Sequence, residues 1–268
     1  MFAPYSDTTL WPTFDISTAG YAKNFVLGFV VADDAMEPSW GGYHKVESNF
    51  YSDIIARVLK NKGNLICSFG GASGAELATA IHEVEPLVAA YDLTIQKYNF
   101  KFIDFDIEGT AVSNIKANKL RAKAIEKLIA KHKDLHVSLT VPVMPYGFDA
   151  HVKKLIEMTP HHLLNIMAMD FGHEKDMFEA VKKSIMAARK FTNKPLGITV
   201  MIGKNDTPEI FTLKDARKLA QFAKENSFIK RLSFWAIERD RGVKGNLDHS
   251  SKIDQKPFEF SQIFNSVY

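Results

Sequence analysis

Eight apolar runs recur along this chain, and between them apolar residues return every three or four positions. The runs are FAPY (2–5), FVLGFVV (25–31), NLICSF (64–69), KFIDFDI (101–107), HVSLTVPV (136–143), LLNIMAM (163–169), LGITVM (196–201) and RLSFWA (231–236). Most are apolar on both faces, as parallel strands covered by helices must be. In NKLRAKAIEKLIAKH (118–132), Leu120, Ala124 and Leu128 recur at i+4 beside Ile125 and Ile129, making one apolar stripe on a charged helix. In TLKDARKLAQFA (212–223), Thr212 and Asp215 have capping-box spacing, and Ala216, Leu219, Ala220 and Ala223 form the inner face. A last helical stretch, PFEFSQIFNSVY, closes the chain.

Eight alternating β and α units in 268 residues predict an α/β fold, a (β/α)8 TIM barrel occupying residues 1–268 as one domain. An open doubly wound sheet is the weaker alternative, because no Gly-rich phosphate turn follows an early strand. SFGGASG (68–74) has glycines at neither the GxGxxG nor the GxxxxGK[ST] spacing.

Composition removes several function classes. The net charge of +3 is too mild to imply nucleic acid or an anionic membrane, and no basic run is interleaved with aromatics. The longest apolar run falls short of a membrane span. Cys67 is the only cysteine, so no intrachain disulfide forms, and its apolar strand makes it an inert core thiol. No signal peptide is visible in MFAPYSDTTLWP. The first strand residues abut Met1, which suggests an excised domain or a processed form. No coiled-coil heptads occur, so a monomer is expected.

The stretch FIDFDIEG (102–109) sets three acids, Asp104, Asp106 and Glu108, at every second position of an apolar strand. On a strand they share one face, about 7 Å apart from one to the next. In a barrel that face points inward, with Glu108 nearest the C-terminal mouth where active sites lie. Like charges this close cannot all ionise in a low-dielectric interior, so at least one proton is shared. Apolar residues would serve the fold better; the row therefore reads as functional. Two chemistries need such a row: binding of a hard cation, or general acid catalysis by a carboxyl tuned upward. The other strand ends offer Tyr5, Ser68, Met144, Met167, Met169, Asp170, Met201 and Trp235. That set suits the apolar face of a sugar ring and an acetamido methyl better than a metal ion.

The same residues resemble glycoside hydrolase family 18, the chitinase family. DFDIE matches the D-x-D-x-E end of its strand-four motif, and SFGG (68–71) its strand-three S-x-G-G. MAMD (167–170) sits where M-x-Y-D falls, and Trp235 where the family places a strand-eight Trp. FAPY and MIGKND (201–206) resemble the compact bacterial branch, so the likeness covers essentially the whole chain. Two departures stand out. Lys101 and Phe102 replace the Asp and Gly that open the fuller motif, and Met169 stands in place of the Tyr that holds the substrate's acetamido oxygen. Tyr146, Tyr5 or no residue at all takes its place.

The resemblance implies a chitin or chitooligosaccharide substrate, retention of configuration, and no metal or other cofactor. Glu108 would protonate the glycosidic oxygen. Asp106 would steady the acetamido nitrogen while the substrate's own acetamido oxygen attacks the anomeric carbon, and Asp104 would share a proton with Asp106. Asp170 would orient the acetamido group, and Trp235 would floor the sugar subsite, with Met167, Met169, Met144, Tyr5 and Tyr146 as further contacts. Only residues 202–230 separate the last two strands, leaving no room for the α+β insertion of many relatives; a shallow groove and endo-type cleavage follow. Secretion or another extracytoplasmic location is expected from the resemblance alone. The alternatives are an endo-β-N-acetylglucosaminidase on N-glycans, a non-catalytic chitooligosaccharide lectin, and, more weakly, a metal-dependent barrel hydrolase. Trp40 and Tyr43, in the Gly-rich stretch 37–43, read as locally packed more than as distal sugar platforms.

Overall fold

The computed structural model describes residues 1–268. All eight apolar runs carry strand structure: β1 (Tyr5–Asp7), β2 (Phe25–Ala32), β3 (Leu65–Gly70), β4 (Phe102–Asp106), β5 (His136–Pro142), β6 (Leu163–Met167), β7 (Leu196–Met201) and β8 (Ile229–Trp235). Each pairs in parallel with the next. The ring closes ahead of β1, where Phe2 bridges Leu232 and the Ala3 amide donates to the Leu232 carbonyl at 3.0 Å. The result is the closed (β/α)8 barrel.

Seven longer α-helices cover it, besides a single helical turn at Leu77–Ala80: α1 (Ser52–Lys60), α2 (Val84–Tyr98), α3 (Ile115–Lys131), α4 (Ala150–Met158), α5 (Met177–Phe191), α6 (Leu213–Glu225) and α7 (Glu259–Asn265). The strict alternation fails at the first unit, where residues 8–24 carry only a 3-10 turn at Ile16–Thr18. Pro12 and the Gly20 turn break that segment before a helix of useful length can form. The capping box is present on α6: Thr212 Oγ1 accepts from the Asp215 amide at 3.2 Å, and Asp215 Oδ2 accepts from the Thr212 amide at 2.9 Å. Such a cap stabilises by about 1 kcal/mol.

The alternation along β4 divides two environments. Ile103 and Phe105 point outward, and the Phe105 ring packs at 5.4 Å from Phe69 and 5.1 Å from Tyr91 of α2. Burying such a ring stabilises by roughly 2–3 kcal/mol. The inward layer is polar, where barrels usually carry bulky branched residues. Register sets Ser68 beside Asp104 beside Ser138, and Asp106 beside Thr140 beside Asn165. Between β7 and β8 the chain forms a two-stranded hairpin (Gly203–Lys204 with Ile210–Phe211) and α6, with no inserted domain. No helix is long and apolar enough to cross a membrane.

Candidate active site

The acid row lies as its spacing predicts. Asp104 is 0% and Asp106 3% exposed. The hydrogen-bonded strand stops at Asp106, but Glu108 keeps an extended backbone (φ −140°, ψ 178°) before the chain turns into Gly109–Ser113. Extended geometry there keeps Glu108 on the inward face, at the C-terminal mouth.

The three acids have different surroundings. Asp104 accepts hydrogen bonds from Ser68 Oγ (2.8 Å), Tyr5 Oη (3.2 Å), Thr140 Oγ1 (2.8 Å) and Ser138 Oγ, and an ion pair reaches it from Arg231. Asp106 leaves a buried Oδ1 without any partner. Burial, then the charges of Glu108 and Asp104, push the Asp106 carboxyl well above the usual range. Burial and then Asp170 push Glu108 up to about 7. A carboxyl that keeps its proton near neutrality at the mouth of a barrel is a competent proton donor.

Asp106 and Glu108 open into a cleft of about 190 Å³ with Tyr5, Met167, Met169, Asp170 and Trp235. Phe29, Ala72, Thr199, Met201 and Asp206 complete its lining. Trp235 lies stacked on Phe29, with centroids 5.7 Å apart and planes at 10°. Asp170 takes a left-handed backbone (φ 52°) at the end of β6. Its Oδ1 accepts from the amides of Asp206 (2.9 Å) and Thr207 (3.2 Å) in the loop after β7. The two glycines of SFGG allow close packing beside the row. A Cβ on Gly70 would lie 2.1 Å from the Asp106 carbonyl oxygen, and one on Gly71 2.4 Å from the Phe29 ring.

Tyr5 reaches the cleft, but its hydroxyl is turned into the barrel toward Asp104 and Thr140. The structure does not bring Met144 or Tyr146 to the cleft. Met144 packs against the core and pairs through its backbone with Gly147. Tyr146 is 83% exposed and faces a separate groove with Lys183 and Met186. Both lie off the cleft, and Tyr146 does not stand in for the Tyr that Met169 replaces. Trp40 is wholly buried against Tyr51 and Tyr98. Tyr43 is 77% exposed and lines a second groove of about 540 Å³ that adjoins the cleft through Phe29, Ala72 and Trp235. Sequence reasoning missed Phe29, Thr199 and Asp206. Phe29 and Thr199 lie within strands apolar on both faces, and Asp206 in a loop whose path the sequence does not give. No three His, Cys, Asp or Glu side chains converge as a metal ion requires.

The chain is 30% identical, over 98% of its length, to the protein named probable bifunctional chitinase/lysozyme of Escherichia coli (strain K12), and 29% identical over 90% to Endochitinase 11 of Metarhizium anisopliae. Both relatives carry chitinase names, and the chain resembles them over most of its own length. It spans 34% of the length of the first relative and 52% of the second. No family model matches it. In fold it is similar to active domain 2 of a thermostable chitinase from Pyrococcus furiosus, solved in complex with chito-oligosaccharides: TM-score 0.89, 24% identity, 99% of this chain and 93% of that one. It is also similar to a GH18 chitinase from the chitin utilization locus of Flavobacterium johnsoniae, at a TM-score of 0.71 and 14% identity, covering 100% of this chain and 93% of that one.

Proposed function

We propose that this barrel is a retaining endo-chitinase of glycoside hydrolase family 18, hydrolysing β-1,4-linked N-acetylglucosamine polymers with help from the substrate's own acetamido group. One observation carries the reading: a buried carboxyl row ends at the mouth in a protonatable Glu108 (pushed up to about 7), with an uncommitted Asp106 oxygen directly behind it. In this reading Glu108 protonates the leaving oxygen and later draws a proton from water. Asp106 turns its free oxygen to the acetamido N–H and steadies the ring closed by the acetamido oxygen on the anomeric carbon. No protein nucleophile takes part, in keeping with the exception that substrate-assisted glycosidases form. Trp235 floors the sugar next to the cleaved bond, and the Met167 and Met169 thioethers meet the acetamido methyl.

The lack of an inserted domain between β7 and β8 supports an open groove and internal cleavage. An insoluble polymer cannot enter a cell, which supports a secreted or extracytoplasmic location.

A chromogenic tri-N-acetylchitotriose substrate tests the reading, with and without chelator, alongside Glu108→Gln. Chelator-resistant turnover that the variant loses supports it. Full activity in a folded Glu108→Gln protein overturns it, and release of glycan from a glycoprotein without activity on chitin oligomers moves the substrate to N-glycans.

A further inference from the structure

We propose that Arg231 is a positioning residue for the acid row: it holds Asp104 as a carboxylate and so leaves the proton of the buried pair on Asp106. Arg231 stands near the start of β8 and is 4% exposed. It reaches inward past β7, where Gly197 makes room; a Cβ there would lie 3.2 Å from Arg231 Nε and 2.5 Å from Asn165 Oδ1. Nη2 donates to Asp104 Oδ1 at 3.4 Å and Nη1 to Ser138 Oγ at 3.1 Å.

The second contact extends the first. Ser138 accepts from Arg231, so its own hydrogen turns to Asp104. Thr140 accepts from Asn165 Nδ2 at 3.0 Å and likewise donates to Asp104. Ser68 and Tyr5 also donate to it. A carboxylate takes hydrogen bonds only as an acceptor, and a protonated Asp104 would have to turn one of these hydroxyls round. Asp106, in contrast, has a buried oxygen with no partner. The row thus has a fixed negative end at Asp104 and a mobile, protonated member next to Glu108.

The titratable and charged groups facing Asp104 are Tyr5, Cys67, Asp106 and Arg231. Those facing Arg231 are Asp104, Asp106, Tyr5, Tyr268 and the Met1 amine, with His136, His162 and Lys230 around the adjoining cavity at the barrel floor. Variants at Arg231 leave all the others in place.

The consequence for rate rests on the chitinase reading. Without the guanidinium, a second proton enters the Asp104–Asp106 pair more easily, and the pair then loses its negative charge at a higher pH. Arg231→Met should move the acid limb of kcat/KM upward by about one pH unit or more. Arg231→Lys, which keeps the charge, should lie near the wild type, and Ser138→Ala should shift the limb the same way by less. Aspartate-selective 13C NMR, assigned with Asp104→Asn, supplies a readout that needs no activity. At a common pH the Asp104 carboxyl carbon signal should differ between the wild type and Arg231→Met. A folded Arg231→Met with both the limb and the carbon signal unchanged overturns the proposal. Should that variant fail to fold, an unchanged profile and signal in Ser138→Ala overturns it. A wild type that cleaves no chitin oligomer sinks the chitinase reading, and the NMR comparison still decides the part of Arg231.

Discussion

Asp170 and Glu108 approach the same cleft from β6 and β4, and the carboxylate of the first adds to burial in holding the proton on the second. The acid strength at the mouth is therefore set by burial and by a residue sixty-two positions away in the chain.

The pH profile should register this pairing. A general acid works only while protonated, so kcat/KM should fall on the alkaline side with an apparent pKa near the value of about 7 to which Glu108 is pushed. Asp170→Asn removes a negative charge that favours the protonated form, so the alkaline limb should move to lower pH. A limb that stays in place, measured on the chromogenic trisaccharide, would separate Asp170 from the ionisation of Glu108.

Stability should fall as the solution becomes alkaline. Burial raises Glu108 and Glu238 to about 7 and Asp240 to about 6, and pushes Asp106 up as well. The folded chain then holds more protons than the unfolded chain from about pH 4 to about pH 7, and its stability declines through that window. His161, lowered to about 4 by burial, the Met1 amine, lowered to about 5, and His162, also lowered, work the other way below their ordinary values, but the four raised carboxyls outweigh them. The urea midpoint should be higher at about pH 5 than at about pH 8. Glu108→Gln should narrow the gap by stabilising the protein at the higher pH, on the order of 2 kcal/mol.

Trp235 should matter more for holding substrate than for the chemical step. It offers a flat apolar surface in the cleft and is backed by Phe29. Trp235→Ala removes contact worth roughly 1–2 kcal/mol, so KM should rise about tenfold. A variant that loses kcat at unchanged KM would place Trp235 in the transition state alone.

Gly70→Ala should damage stability and activity together. Its φ of 108° is unfavourable for alanine, and the new Cβ would press on the Asp106 backbone. The cost is roughly 1–3 kcal/mol for the backbone alone. Thermal unfolding should show it, and a variant with the stability of the wild type would mean that β3 and β4 can move apart.

Much of this arrangement was legible before any coordinates. Parallel strands buried on both faces leave continuous apolar runs, and all eight were found that way. The acids of FIDFDIEG stand out because charge at period two contradicts an apolar strand. Arg231 illustrates the opposite case. A cation at the edge of a strand reads as solvent-facing, and only the closure of β8 against β1 turns it toward Asp104. Phe29 carried no signal, since either face of FVLGFVV is apolar. Tyr146 and Met144 follow a strand end closely in sequence, yet one lines a separate groove and the other packs against the core. The first α-unit failed because the sequence pattern counted units, while residues 8–24 lack a helical stretch long enough to form one.

The loop after β7 holds Asp170 through main-chain amides of Asp206 and Thr207, and Arg239 in turn donates to the carbonyls of Ile202 and Lys204 at its base. Two side chains add to this hold: Asn205 Oδ1 accepts from the Asp170 amide and Thr207 Oγ1 donates to the Asp170 carboxylate, each at 3.3 Å, so the loop can drift in composition only away from Asn205 and Thr207. It cannot drift in length. An inserted or deleted residue between 202 and 209 would move both amides off the carboxylate, and natural variation at this edge of the site should consist of substitutions without gaps.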